Sequence, residues 1–458
     1  VQELHEDVRM KKLFGTSGIR GILGRNIFPA TAYAMGIVFA RFLGNHPRVI
    51  AGCDVRIHSW VLYHQVIMGL VQGGARVSMA GITPTPALIH TQLELAYQGS
   101  VMVTGSHAIP SVTGLLFFLN DGGETDPESQ SQLERLYPKA LSMKTGDGRI
   151  EDRINSFKIY HKRIAKSSVR LDGMKIAFDA GNGNMAGIAG RLLEQFGART
   201  ILLNDTKNGN FPSRSPYPRK ETLKSLRRKV IETRAELGIA TDGDGDRAIF
   251  VTDDGQVLDG DVIGSLLADE ELRSKKGKIV APINSSNLIN YICKLYNTHL
   301  ISTSVGPPWI IQAIRNNADV VFAFEETGKY IWPDQLLYGD AIYSTLKLVS
   351  LLKRRGTSLR YEVGLLPKYY LEKKTVRCKE EEKEIILKKA LRFSKKLYPK
   401  GKFILQDGIK IVFDNGSWIL LRPSGTEPFF RCYAESESKR ETEKLVSEGM
   451  KILRQSIN

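Results

Sequence analysis

VMVTGSHAIPSVTG, residues 101–114, is a short apolar, β-prone run that ends in a small polar turn carrying Ser106 beside His107. Past Pro110 the chain becomes apolar again over residues 115–119. A hydroxyl on a sharp loop after a buried strand is rigidly held, as a nucleophile or phosphoryl carrier must be. Serine is also an ordinary turn residue, so this loop takes its meaning from what surrounds it.

Outward from the loop, helical and strand-like segments alternate. Helical periodicity covers residues 31–43 and 60–73, β-prone runs cover 48–52 and 75–79, and the loops CDVRIHS and GITPTPAL follow those strands. Such alternation indicates layered α/β structure. A Gly/Asp/Glu/Ser-rich stretch, 120–132, leads back to helix, and a charged helix over 152–166 reads as a connector. MKIAFDA, the loop GNGN and a helix to Phe196 then open a second α/β unit. Gly181-Asn182-Gly183 lacks the spaced third glycine of a dinucleotide fingerprint. A third unit alternates helices at 261–270, 287–295 and 309–316 with strands, the last being 320–324 before EETGKYIWPD. From about residue 363 the pattern becomes a long charged helix, 380–397, β runs at 403–413, 417–422 and 429–435, and a final helix, 439–455. The expected fold class is α/β: three similar mixed-sheet α/β domains, 1–151, 152–258 and 259–362, then a C-terminal α+β domain, 363–458.

A chain of 458 residues is too long for one core, in keeping with that division. A hydrophobic content of 42% and a charged content of 25% are ordinary for a globular protein, and no apolar run is long enough for a transmembrane helix. The charged start, VQELHEDVRMKK, lacks the apolar core of a signal peptide. Cys53, Cys293, Cys378 and Cys432 are far apart, without metal-ligand spacing, and read as free thiols of a reducing compartment. A cytoplasmic location without membrane partners is expected. The formal charge of +16 calls for anionic partners, either nucleic acid or a phosphorylated metabolite. The basic runs 224–229 and 353–355 fit exposed helix faces and carry no interleaved aromatics for base stacking.

Four constellations carry chemistry. Asp242-Gly-Asp244-Gly-Asp246-Arg247 places three carboxylates at alternate positions, where they can fold around one hard cation. The strand-like flanks, and Arg247 where an EF-hand needs Gly, argue against a calcium loop; a metal-free acidic turn remains the alternative. Arg422-Pro-Ser-Gly-Thr-Glu-Pro428, with Arg431 beyond it, gathers guanidinium, hydroxyl and backbone donors into a nest suited to phosphate. Glu325-Glu326-Thr327-Gly328-Lys329 ends a buried strand with groups able to bind vicinal hydroxyls, although such a segment is also an ordinary solvated loop. LFGTSGIRG, residues 13–21, uses glycine turns to present Arg20 to an anion.

In this order the loops resemble those of the α-D-phosphohexomutase superfamily, which includes phosphoglucomutase/phosphomannomutase and phosphoglucosamine mutase. TGSHAIP resembles the family's phosphoserine loop TASHNP, DGDGDR its metal loop, FEETG its sugar loop, and RPSGTEP is identical to its phosphate loop. FGTSGIRG, FPSRSPYP and GITPTPAL fit as well, so the likeness spans the chain and looks closest to archaeal-type members. The resemblance implies domains around a central cleft and a mutase that interconverts sugar 1-phosphate and 6-phosphate. It implies catalytic roles for Ser106, His107, Arg20 and Lys329, with Ser106 carrying the phosphoryl group and completing a Mg²⁺ site with Asp242, Asp244 and Asp246. Arg247, Glu325, Thr327, Arg422, Ser424, Gly425, Thr426 and Arg431 would bind substrate, and a sugar bisphosphate would serve as activator and intermediate. The partner is then a phosphorylated sugar, not nucleic acid or membrane; monomer and homo-oligomer both stay open.

The sequence also departs from the family. Leu116 stands where a Lys is usual ten residues after the serine, Ala108 replaces an Asn, Lys329 replaces a His, and GRDxR appears as Gly52-Cys53-Asp54-Val55-Arg56. Loss of acid–base help costs about 10²–10⁴-fold, so Lys329, His107 or Arg20 is expected to take over that task. Phosphoglucomutase/phosphomannomutase is the first reading, with phosphoglucosamine mutase and phosphopentomutase as alternatives. A sugar-phosphate phosphatase and a non-catalytic sugar-phosphate-binding paralogue are the other classes.

Overall fold

The structure, a computed structural model, describes residues 12–425 and 427–457. The first sheet contains β1 (Ile19–Ile22), β2 (Arg48–Cys53), β3 (Arg76–Ile82), β4 (Gly99–Val103), β5 (Val112–Phe118) and β6 (Arg149–Arg153), in the order β1-β5-β4-β2-β3-β6. The second contains β7 (Lys175–Asp179), β8 (Arg199–Leu203), β9 (Leu237–Thr241) and β10 (Ala248–Val251), ordered β10-β9-β7-β8. The third contains β11 (Lys278–Pro282), β12 (Leu300–Thr303), β13 (Val320–Glu325) and β14 (Lys329–Ile331), ordered β12-β11-β13-β14.

These sheets share one plan. In each, three parallel strands are followed by a fourth that turns back antiparallel beside the third: β4 to β5, β9 to β10 and β13 to β14. The three hairpin turns are residues 104–111, 242–247 and 326–328, the serine, acidic and Glu-Thr-Gly loops. A buried third strand such as β4 or β9, apolar on both faces because helices cover the sheet, gives each loop a rigid base. The fourth sheet is wholly antiparallel: β15 (Tyr370–Arg377), β16 (Lys402–Ile404), β17 (Ile409–Val412), β18 (Trp418–Pro423) and β19 (Phe429–Ser436), ordered β15-β19-β18-β17-β16. Its β18–β19 turn carries the Arg-Pro-Ser-Gly loop.

Several expected elements differ in extent. The helix expected over 152–166 is shorter, Ser156–Ile164, because the chain first completes β6 and Asn155 then caps the helix by accepting from Lys158 N. The boundary expected at 151 therefore falls inside β6, and that at 362 falls inside the helix Leu359–Gly364. The run expected over 403–413 is two strands, because Asp407 and Gly408 adopt positive φ, 51° and 135°, and turn the chain. The Lys- and Glu-rich β15 has no apolar alternation to betray it; such charge suits the edge strand that it forms.

One apolar cluster runs continuously through the second and third units, including Phe178, Leu267 and Phe324. The fourth unit docks on the third through Trp418, Leu420 and Tyr433 against Ile283, with Lys410 Nζ donating to Ile283 O at 2.7 Å and Asn287 N to Glu435 Oε1 at 2.7 Å. The first and third units are joined by Arg315, which donates to both Asp121 oxygens at 2.8 Å and to Asp126 at 2.7 Å. Arg315→Ala is expected to cost about 1–3 kcal/mol in chemical denaturation, and Arg315→Lys to recover only part of it because the planar fork is lost.

Candidate active site

The serine loop is built around an ion pair that has no exposure to solvent. Asp54 accepts from Thr104 Oγ1 and Gly105 N at 2.9 Å and from Arg56 at 2.8 Å. Arg56 in turn donates to the carbonyls of Ser106 at 3.0 Å and Ala108 at 2.6 Å. A Cβ on residue 105 would stand 1.9 Å from Arg56 Nη1, so only glycine fits there. Clamped in this way, Ser106 holds a left-handed φ of 46°, a conformation that costs a non-glycine residue energy and must be imposed by its surroundings. The variant GRDxR segment is thus the mould for the serine loop. Arg20 Nη1 reaches Gly105 O at 3.3 Å.

Held there, Ser106 Oγ donates to Asp242 Oδ2 at 2.8 Å across more than a hundred residues of sequence. Asp242, Asp244 and Asp246 are all buried, with ligand oxygens within 4.8 Å of one another. Arg214 anchors the base of their loop by donating to Thr241 O at 2.7 Å and to Asp179 at 2.9 Å. Thr85, from GITPTPAL, donates to Asp244 Oδ2 at 2.7 Å. Burial and mutual repulsion push Asp242 and Asp244 above the usual carboxylate range; against its burial, Asp246 is held below that range by Lys329 and Arg247. Asp244 Oδ1 accepts no hydrogen bond from the described residues. An all-oxygen, buried, mutually repelling donor set fits a hard divalent cation.

Lys329 is 1% exposed, with Nζ 2.9 Å from Asp246 Oδ2 and 3.7 Å from the Tyr338 ring centroid. Leu116 lies in the apolar cluster that also contains Tyr338, so the position where the resemblance expects a lysine is core. Glu325 Oε2 and Thr327 Oγ1 are buried and have no hydrogen-bond partner among the described residues. Their loop is joined to the strand after the acidic loop by Ala248 N donating to Gly328 O at 2.9 Å. Arg247 lies 3.6 Å from Asp246 and 3.8 Å from Asp242. Burial and the cations Arg247, Arg20, Lys329 and Arg56 hold His107 below the imidazole range, and its Nδ1 is 3.4 Å from Ser106 Oγ.

On the fourth sheet Arg422 and Arg431 stand directly opposite each other across β18 and β19. Like charges in that register repel unless an anion joins them. Asp407 takes Arg422 Nε at 2.6 Å, and Glu427 takes Arg431 at 2.7 Å, while among the described residues Arg422 Nη1 has no hydrogen-bond partner. Ser424 is buried, with its carbonyl accepting from Lys383 at 2.6 Å. A Cβ on Gly425 would come within 2.9 Å of Thr16 Cγ2, and one on Gly306 within 2.3 Å of Thr16 O, so the first, third and fourth units meet at Thr16. Thr426 lies outside the described residues.

The structure adds residues that sequence reading missed. Tyr217, from FPSRSPYP, packs its ring edge-to-face on His107 at 5.1 Å. Glu124, in a stretch that reads only as polar loop, is fully buried, accepts from Ser17 Oγ at 3.1 and 3.2 Å, and is pushed up to about 7 by its burial. Family position is the only signal for Tyr217, and none is visible for Glu124.

Comparisons agree with this assembly. Models of the phosphoglucomutase/phosphomannomutase α/β/α domains I, II and III match residues 11–143, 157–255 and 259–369, and that of the C-terminal domain matches 375–451. A Methanopyrus kandleri protein named "Probable phosphoglucosamine mutase" is 33% identical over 98% of this chain and 99% of its own length. The phosphoglucomutase/phosphomannomutase of Thermococcus kodakarensis is 32% identical over 98% of this chain and all of its own. The crystal structure of a phosphoglucomutase/phosphomannomutase family protein from Burkholderia thailandensis superposes with a TM-score of 0.85 at 24% identity, covering 97% of each chain, and shares the fold. The chain belongs to the phosphohexomutase family, whose reaction is intramolecular phosphoryl transfer, and is a mutase.

Asp244→Asn removes one of the repelling charges. The metal-free protein is expected to melt no lower than the parent, and to be stabilised less than the parent by an added divalent cation, as read by melting with and without the ion.

Proposed function

We propose that the protein interconverts hexose 1-phosphate and 6-phosphate through a phosphoserine at Ser106 and a sugar bisphosphate, with glucose and mannose phosphates as first substrates. The 2.8 Å contact between Ser106 Oγ and Asp242 Oδ2 carries this reading, because it joins a strained, buried hydroxyl to the carboxylates fit for a divalent cation. In this reading Asp242, Asp244, Asp246 and the phosphoserine hold Mg²⁺, which when bound would neutralise charge on the transferring phosphoryl group.

The chain's own groups then have distinct tasks. Glu325 and Thr327, with polar atoms free, grip sugar hydroxyls. Arg422, Ser424, Gly425, Thr426 and Arg431 hold the phosphate that is not reacting, so the intermediate can turn end for end and meet the clamp again. Arg20 and Arg247 supply positive potential beside Ser106. Lys329, fixed between Asp246 and the Tyr338 ring, moves the proton of the attacking sugar hydroxyl, and His107 lies by the serine oxygen. Closure at Thr16 excludes water, which would hydrolyse the phosphoserine.

A second substrate reading, glucosamine phosphate, is favoured by the names of several relatives. A four-domain organisation and a cytoplasmic setting belong to the same proposal; the latter is supported by four unpaired cysteines. Among the described residues no helix is long and apolar enough to cross a membrane.

Glucose, mannose, glucosamine and pentose 1-phosphates, each assayed with Mg²⁺ and a trace of the matching bisphosphate, test the reading. Conversion of a hexose 1-phosphate to its 6-phosphate is expected, whereas release of inorganic phosphate alone would contradict it. Lys329→Met is expected to lower kcat by about 10²-fold or more with a smaller change in KM; unimpaired turnover would remove Lys329 from the proton path.

A further inference from the structure

The charged sequence of edge strand β15 carries no functional signal, but its register places one residue. Lys373 pairs with Tyr433 and Thr375 with Arg431, and Arg431 pairs in turn with Arg422 on β18. Directly opposite residues share a face of a sheet, and so do residues two apart on one strand. Lys373, Tyr433, Arg431 and Arg422 therefore stand on one face. The other face, with Ile419, Leu421, Cys432 and Ala434, packs under the helix Lys439–Ile457. The cationic face is the one turned toward the third unit, where Trp418, Leu420 and Tyr433 dock on Ile283.

The Lys373 side chain is 40% exposed, so it is open to a ligand. Its Nζ lies 5.0 Å from the centroid of the buried Tyr433 ring, which holds the ammonium over the sheet. The same atom is 3.6 Å from Glu326 Oε1, longer than a normal hydrogen bond, on the loop that carries Glu325 and Thr327. Burial and Glu326 push the Tyr217 hydroxyl up, against the pull of Lys373 and Arg247, so all four groups border one space. The Tyr217 ring packs on His107, beside Ser106.

Three cations on this face each rest on a carboxylate: Arg422 on Asp407 at 2.6 Å, Arg431 on Glu427 at 2.7 Å, and Lys373 on Glu326 at 3.6 Å. The last pair is the loosest. Lys373 is also the diagonal neighbour of Arg431, within reach for side chains of that length. A phosphate dianion supplies the charge that three adjacent cations lack, and an ammonium on a flexible stem can swing to it from Glu326.

We propose that Lys373 is the third cation of the clamp for the non-reacting phosphate, leaving Glu326 to bind the sugar phosphate. This role rests on the mutase reading above. Glu326 then competes for the ammonium, and it gives Nζ a place to return to when the bisphosphate is released to turn. Neutralising the two residues therefore has opposite effects on binding, whereas a merely structural bridge between the third and fourth units would be weakened alike by either change.

Isothermal titration of the full chain with glucose 6-phosphate, without a divalent cation so that no turnover intervenes, tests the role. Lys373→Met is expected to weaken binding about tenfold or more, Lys373→Arg to restore most of it, and Glu326→Gln to bind at least as tightly as the parent. Lys374→Met removes the same charge from the opposite face, at the residue paired with Cys432, and is expected to leave the affinity unchanged. Parent-like affinity in Lys373→Met, an equal loss in Lys374→Met, or a loss in Glu326→Gln as large as that in Lys373→Met would overturn the proposal. A parent that binds no glucose 6-phosphate would contradict the mutase reading itself, and this role with it.

Discussion

Asp242, Asp244 and Asp246 are closed into one buried loop with ligand oxygens within 4.8 Å of each other. At an effective dielectric of about 20, each such pair of charges costs on the order of 3–4 kcal/mol. Much of the surrounding architecture counters that repulsion. Lys329 comes from the third unit, Arg247 from the loop itself, Thr85 from the first unit, and Ser106 adds a hydroxyl donor. Two contacting cations against three carboxylates leave a negative balance, and that balance is what a divalent ion would complete. Phosphorylation of Ser106 would deepen it by about −1.5 to −2 charges, so the cation and the phosphoserine are mutually dependent.

The convergence of loops follows from repetition. Each of the first three units places one of the serine, acidic and Glu-Thr-Gly loops at the same hairpin, between the last parallel strand and its antiparallel neighbour. Because the three loops occupy one topological position, packing the units side by side brings them together without any special path for the chain. The fourth unit differs in being wholly antiparallel, yet it too presents its Arg-Pro-Ser-Gly loop from a hairpin turn. Its contact at Thr16 and its apolar dock on Ile283 lie on different units, a geometry suited to a domain that stays attached to one neighbour while leaving another.

Much of this was legible in the sequence. Alternating helix and strand periodicity revealed the layered α/β units, and the acidic, serine and Arg-Pro-Ser-Gly loops stand out because their residue types are rare together. The structure brings Ser106, Asp242, Asp244, Asp246, Arg247 and Lys329 into one cluster. Other features were hidden for physical reasons. Edge strand β15 carries charge where a strand pattern needs alternation. Arg56 reads as a loop residue, and only tertiary packing shows that it is fully buried and shapes the serine turn. Leu116 reads as a loss; the structure places it in the apolar core with Tyr338, the ring that also lies under Lys329 Nζ. Glu124 carries no local signal, since its burial depends on contacts with residues far along the chain.

In the proposed reaction Ser106 is the phosphoryl carrier. Peptide mass spectrometry after incubation with glucose 1,6-bisphosphate and Mg²⁺ tests that directly. One phosphoryl group on the peptide bearing Ser106, absent from the Ser106→Ala protein, is the expected result. An unmodified Ser106, or a phosphoryl group carried elsewhere in the chain, would contradict it.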